Sequence, residues 1–215
     1  MKRRTIFVFT MIATAVVLTG LASLVHLGWP TAVAILTFEI GCYVAFIVYF
    51  HDGFLGRILL FGISAGVVEL LADKWLVEVT KSLVYAPNEP FLVRSPVYMP
   101  FAWASVIFGV GYVGWWIAQR LPLIPASLLA AGYGAINIPL YEQAAKGADW
   151  WLYRGAPALF ATPYYIVAGE FLIVLPLPFL IGRLAEKSWK WAVALGAVEG
   201  LWIWAAYAVA WSLFR

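Results

Sequence analysis

Apolar residues in this chain do not alternate with polar ones, nor do they recur only on one helical stripe; they run on for twenty positions or more between short polar interruptions. The runs cover approximately 5–28, 31–50, 58–80, 98–119, 122–145, 163–183 and 190–212. A bilayer span needs about 20 apolar residues, since the hydrocarbon is about 30 Å thick and each helical residue rises about 1.5 Å. Hydrocarbon offers no partner to a free N–H or C=O, so the spanning element must satisfy its own backbone, as a helix does. A membrane β-barrel would instead show alternating strands of about ten residues. The pattern predicts an all-α, polytopic transmembrane bundle of about seven spans, with 1–215 as a single integral membrane domain.

The punctuation agrees with that division. Trp29-Pro30 breaks the first turn, His51-Asp52-Gly53 the second, and Arg120-Leu121-Pro122 separates the fourth run from the fifth. Proline disfavours helical geometry in the residue before it, so each X-Pro marks a boundary. Two connections are longer than turns: 81–97 and 147–162. Both are rich in aromatics and prolines, and two readings fit them. Trp and Tyr prefer headgroup depth, so the segments are either interfacial loops, or re-entrant caps that close a cavity between helices. Arg94-Ser95-Pro96-Val97-Tyr98 and Ala161-Thr162-Pro163-Tyr164-Tyr165 end them alike, each with Ser or Thr before a proline at a helix start. That likeness hints at a parallel duplication of spans three and four in spans five and six.

Composition removes the soluble alternatives. Hydrophobic residues make up 64% and charged residues 12%, half of what a globular surface carries. The net charge of +3 is no footprint for nucleic acid here, because the basic residues sit at span ends, where they contact lipid headgroups. Lys2, Arg3, Arg4, Arg57, Arg120, Arg183, Lys187 and Lys190 gather on one side, against Lys81, Arg94, Lys146, Arg154 and Arg215 on the other. By the positive-inside bias the N-terminus is expected in the cytoplasm, with the chain in the inner or plasma membrane if bacterial. Met1-Lys-Arg-Arg before an apolar run resembles a signal peptide, but the run is longer than such a core and no A-x-A site follows, so it reads as a retained span. Cys42 is the sole cysteine, so no internal disulfide forms. Oligomeric state has no signature in the sequence.

The chemistry lies in the acids at membrane depth: Glu39, Glu69, Asp73, Glu142, Glu170 and Glu199. An ionisable group there costs several kcal/mol by most estimates and faces the bundle interior. Lys74 is the one basic residue that falls well inside a predicted span. Glu69 and Asp73, four apart, share a helical face and form the first candidate acid–base pair. A second group runs from Asn137, Pro139, Tyr141 and Glu142 through Asp149, Trp150, Tyr153 and Arg154 to Glu170, its acids brought to the same side by the topology. Pro139 removes a backbone donor and frees a carbonyl within its span. Glu39 and Glu199 stand alone on apolar helices, where a structural hydrogen bond suffices to explain them.

Several chemistries have no residues to perform them. His26 and His51 lie at opposite ends of their spans, against a shared haem or a multi-histidine iron site. There is no Cys/His zinc cluster, phosphate loop or nucleophile-elbow serine, and the last span has no lysine for a retinal Schiff base. Neither a cofactor nor a metal is expected.

The succession Glu69, Tyr85, Pro96-Val-Tyr-Met-Pro100-Phe-Ala-Trp103, then Gly147-Ala-Asp149-Trp150-Trp151 and Thr162-Pro163-Tyr164 resembles the membrane-bound carotenoid hydratase family over residues 60–175. In size and general chemistry the chain also resembles compact seven-span terpene cyclases. The chain lacks the hydratases' glycine-rich stretch after the first acid, and Ile136 and Leu140 stand where that family carries aspartates. The resemblance implies water addition to, or protonation of, the double bonds of a long isoprenoid. On that reading Glu69, Asp73, Glu142, Asp149 and Glu170 are the catalytic candidates. Trp103, Trp150, Tyr164, Tyr85 and Asn137 would line the substrate channel, aromatic faces being suited to a carbocation. The partners expected are a hydrophobic small molecule or lipid and the surrounding membrane lipids. A small proton-coupled secondary transporter uses the same buried acids and interrupted helices. An accessory subunit of a larger complex, packing through Gly41-Cys42-Tyr43 and Gly132-Tyr133-Gly134, is the third reading.

Overall fold

The computed structural model describes residues 2–215. Its helices are α1 (Lys2–Val25), α2 (Trp29–Tyr49), α3 (Gly53–Glu78), α4 (Met99–Ala118), α5 (Leu123–Gly147), α6 (Tyr164–Val174), α7 (Leu177–Leu184) and α8 (Trp189–Phe214). Among the described residues, seven helical segments are long and apolar enough to cross a membrane, α6 and α7 together forming the sixth, and the chain is an all-α integral membrane protein. Its outward faces carry exposed apolar side chains such as Leu24, Ile136 and Leu213, a surface stable only against lipid.

Local sequence explains the helix ends. Asp52 caps α3 by accepting from the Leu55 N–H at 3.1 Å, so this helix begins at Gly53, earlier than the expected 58. Arg4 pairs with the same carboxylate, so a cap and an ion pair share one buried group. The sixth span is broken, not continuous: Pro176 cannot donate a backbone hydrogen bond, and α6 gives way to α7 there. Gly66 of α3 lies against the Pro100 backbone and Gly200 of α8 against that of Ala65. In both places a Cβ would collide with main chain, so only glycine permits these close crossings.

The two long connections contain strands that periodicity did not reveal, being only two or three residues each. The first holds β1 (Leu83–Tyr85), β2 (Phe91–Leu92) and β3 (Ser95–Pro96); the second holds β4 (Trp151–Tyr153), β5 (Ala158–Leu159) and β6 (Thr162–Pro163). Hairpins β2–β3 and β5–β6 close within each connection, while β1 and β4 pair antiparallel across the two. In that ladder Val84 faces Leu152, with Leu83 opposite Tyr153 and Tyr85 opposite Trp151. Ala86 N–H donates to the Trp150 carbonyl at 3.3 Å and Arg154 N–H to that of Ser82 at 2.8 Å.

Helix, strand, hairpin and helix thus occur twice, in α3–α4 and again in α5–α6. Left-handed residues repeat at matching places: Lys81 (φ 55°) with Asp149 (59°), Asn88 (69°) with Gly155 (70°), and Val93 (64°) with Phe160 (56°). Antiparallel pairing of equivalent strands puts a pseudo-two-fold axis through Val84–Leu152, along the membrane normal. The duplication hinted at by the two Ser/Thr-Pro starts is present throughout both units. Helix α8 packs against α3 and α6, whereas α1 and α2 lean on α4 and α5, so each seam between the halves is covered.

Candidate functional site

Beneath the β1–β4 ladder, between the two halves, lies a cavity of about 100 Å³. Three carboxyl groups line it: Asp73 from α3, Glu142 from α5 and Glu170 from α6. Asp73 and Glu142 each sit five residues before the end of their helix, about 8 Å below the loop side at the helical rise. Helix periodicity sets their azimuth and the pseudo-symmetry sets their common depth.

Each acid has its own donors. Asp73 accepts from the Tyr85 hydroxyl at the end of β1 and from the Ser95 hydroxyl in β3. Glu142 accepts from Trp151 Nε1 at 2.5 Å, with the Tyr153 hydroxyl at 3.4 Å from its other oxygen. Glu170 accepts from the Tyr207 hydroxyl of α8 at 2.7 Å. Burial holds the Tyr85 and Tyr153 phenols well above their usual range, reinforced by the neighbouring Asp73 and Glu142 charges respectively, so both remain donors. Tyr85, Trp151 and Tyr153 form an aromatic roof, with Trp103 on the α4 wall.

Repetition extends to these side chains. Tyr85 corresponds to Tyr153, Ser95 to Thr162 and Trp103 to Glu170. The copies differ where they matter: Ser95 serves Asp73, but the Thr162 hydroxyl is buried with no partner. Trp103 presents an indole where the other half presents the third acid.

No Lys, Arg or His lines this cavity. Lys74, expected well inside its span, is half exposed near the loop-side end of α3, 4.0 Å from Glu78. Glu78 also pairs with Arg94 at 2.5 Å, which anchors β2–β3 outside the cavity. Among the described residues, no group of three His, Cys, Asp or Glu side chains is arranged to hold a metal.

Of the sequence candidates, Asp73, Glu142, Glu170, Tyr85, Trp103 and Asn137 meet at this cavity. Glu69 is fully buried one turn below Asp73, behind the wall, with neither oxygen hydrogen-bonded and Asp73 and Trp103 as polar neighbours. Asp149 lies elsewhere: it occupies a left-handed turn, its side chain is 66% exposed, and it stands 3.9 Å from His26 Nδ1. Tyr164 also points outward, 46% exposed. Its neighbour Tyr165 is the buried one, sharing a 2.6 Å hydrogen bond with Ser82. Trp150, just before β4, ties its loop to the α1–α2 turn, donating to Thr31 Oγ1 at 2.9 Å, and borders a separate cavity toward α1 and α2 rather than the acid cavity. Trp151, the first residue of β4, is the indole that reaches Glu142. Tyr153, grouped with the second set of candidates from the sequence, does line the cavity, whereas Trp151, Ser95 and Tyr207 are the site residues that sequence reasoning missed; Trp151 shares with Tyr153 the period-two face of a strand too short to recognise.

A larger cavity, about 310 Å³, lies between α1, α2, α4 and α5. It shares Ala102, Val106, Val110, Asn137, Tyr141 and Trp151 with the acid cavity, so the two cavities adjoin along these residues. Buried Glu39 borders it and accepts from the Ser105 hydroxyl, which lies 3.2 Å from the Tyr43 hydroxyl.

Residues 70–214 match a family described as a domain of unknown function, DUF6989. No curated protein and no solved structure matches the chain.

Proposed function

We propose that this chain, which belongs to the DUF6989 family, is an intramembrane enzyme that performs acid–base chemistry on a hydrophobic isoprenoid or lipid. The observation that carries this reading is the convergence of Asp73, Glu142 and Glu170 on one cavity whose lining has no basic side chain. A protonated carboxyl there delivers its proton to a carbon–carbon double bond, forming a C–H bond and leaving a carbocation. A second carboxylate then removes a proton from a neighbouring carbon, completing isomerisation or cyclisation, or takes one from a water that adds, completing hydration. The faces of Trp103, Trp151 and Tyr85 stabilise the positive charge between these steps. The proton gained by the second carboxylate passes back across the cavity to the first, which resets both groups with no net consumption of protons. The positive-inside bias supports a cytoplasmic N-terminus, with the aromatic roof on the outer side of an inner or plasma membrane. Labelling of a cysteine at Asn88→Cys, in a Cys42→Ser background, by an impermeant maleimide on intact cells tests that orientation.

The chemistry is tested by comparing lipid extracts from isoprenoid-producing cells carrying wild type, Asp73→Asn, Glu142→Gln or empty vector. A species of altered mass or retention made only by wild type supports it; identical extracts from all four count against it.

The parallel repeat about an axis along the membrane normal, together with the broken sixth span, favours a second reading as a proton-coupled transporter. That reading requires uptake of a solute that collapses with the proton gradient.

A further inference from the structure

The acid cavity alone is too small for a long lipid, whereas the adjoining cavity of about 310 Å³ falls within the range of small-molecule sites. Its lining is apolar apart from a few groups, and those groups are ordered. Glu39 stands midway along α2, about 15 Å from either end of the helix. It is 3% exposed, although no cation lines the cavity. The chain Tyr43, Ser105, Glu39 ends on this carboxyl, so what the site offers a ligand is an acceptor. Nearer the loop side, Asn137 borders both cavities, and its amide has no hydrogen-bond partner among the described residues. A polar amide at membrane depth without a protein partner is a contact held in reserve for something that passes it.

We infer that the second cavity binds the head of a linear amphiphile with a hydrogen-bond-donating terminus, whose chain passes Asn137 into the acid cavity. The head donates to Glu39. The chain lies along the apolar wall of Val106 and Ala102, and its far segment reaches Asp73, Glu142 and Glu170. Helical rise puts Glu39 about 8 Å deeper than Asp73, so the molecule climbs toward the roof as it crosses between the halves. A hydroxyl and a protonated amine both fit the carboxyl, and the test separates them. Taking this occupant for the substrate rests on the proposed function; its binding does not.

The test is photoaffinity labelling of the full chain in nanodiscs. The probes are a twenty-carbon polyunsaturated primary alcohol with a diazirine at its far end, the matching amine, and the matching methyl ether, which has no donor. We expect saturable labelling by the alcohol or the amine, with adducts on peptides carrying Tyr85, Trp103 or Trp151. Glu39→Gln and Ser105→Ala are expected to weaken this labelling about five- to tenfold, the worth of one ordinary hydrogen bond. The ether should label weakly and respond to neither substitution. Size-exclusion profiles and thermal unfolding establish that each variant is folded, and Ser105→Ala, which removes a single hydroxyl, guards against a folding defect in Glu39→Gln. Equal labelling by ether and alcohol, labelling unmoved by both variants, or adducts confined to lipid-facing residues such as Ile136 overturns the inference. Labelling as expected, combined with lipid extracts that Asp73→Asn leaves unchanged, would sink the acid–base reading and leave the binding site standing.

Discussion

Asp73 and Glu142 occupy equivalent places in the two halves of the chain, each beneath the tyrosine, Tyr85 or Tyr153, that ends the strand above it. The equivalence is incomplete. Asp73 takes a second hydroxyl from Ser95, while Glu142 takes an indole N–H from Trp151 and leaves Thr162 unused. A duplicated scaffold has placed two acids at one depth and given them different partners, as a site needs when one group gives a proton and the other receives it.

This difference predicts opposite outcomes for two similar substitutions. Ser95→Ala removes a buried donor from Asp73 and is expected to destabilise the folded protein by about 1 kcal/mol and to lower conversion. Thr162→Val removes a buried hydroxyl that has no partner, and is expected to be neutral or stabilising by up to about 1 kcal/mol. Unfolding of the detergent-solubilised protein by heat or denaturant measures both.

The two adjacent indoles should differ in function at a similar cost in stability. Trp151→Phe loses the hydrogen bond to Glu142 and is expected to cut product formation about tenfold and to lower stability by about 1 kcal/mol. Trp150→Phe unties the loop from Thr31 and is expected to lower stability by about 1 kcal/mol while leaving a larger share of the activity. Asp149→Ala and Tyr164→Phe, outside the cavity, should leave conversion within about twofold of wild type. Product per mole of folded protein, read beside the melting temperature, distinguishes the cases.

Glu89, in the first connection, gives the roof a pH dependence. Burial raises its pKa to about 7 from the ordinary 4.5, against the lowering effect of the Tyr98 hydroxyl, which donates to it at 3.2 Å. Between pH 4.5 and about 7 the folded protein therefore holds a proton that the unfolded chain has released. The stability this group contributes is fully present below the lower value, falls as pH rises through the window, and levels off above the higher one. Amide protection of residues 86–98, taken relative to the intrinsic exchange rate at each pH, should be greater at pH 5 than at pH 7.5, and Glu89→Gln should remove most of that difference.

Much of the architecture was legible because bilayer thickness dictates run length: all seven spans stand close to where the apolar runs placed them. The break at Pro176 was missed because hydropathy runs unchanged across it. The acids were legible for the same reason as the spans, since a carboxyl in an apolar run has no innocuous place to point. Which of them share a cavity was not legible. Glu69 and Asp73 lie on one helical face, yet only Asp73 reaches the cavity, and that depends on how α3 is rotated against α4 and α8. Asp149 stood in an aromatic, charged stretch that looked like a site, but a left-handed turn carries it outside the acid cavity, while its neighbour Trp150 borders the larger cavity instead. The pairing of β4 with β1, which brings Trp151 over Glu142, joins segments far apart in the chain.

The central claim, that the cavity acids pass a proton to carbon, is tested most directly by isotope. Membranes from isoprenoid-producing cells carrying wild type, Asp73→Asn, Glu142→Gln or Glu170→Gln are incubated in deuterium oxide, and the extracted lipids are analysed by mass spectrometry after back-exchange in ordinary water. The account predicts carbon-bound deuterium in one lipid species with wild type, reduced about a hundredfold or more by Asp73→Asn or Glu142→Gln. Deuterium absent from every lipid in the wild-type membranes, or present equally in the acid variants, would contradict it.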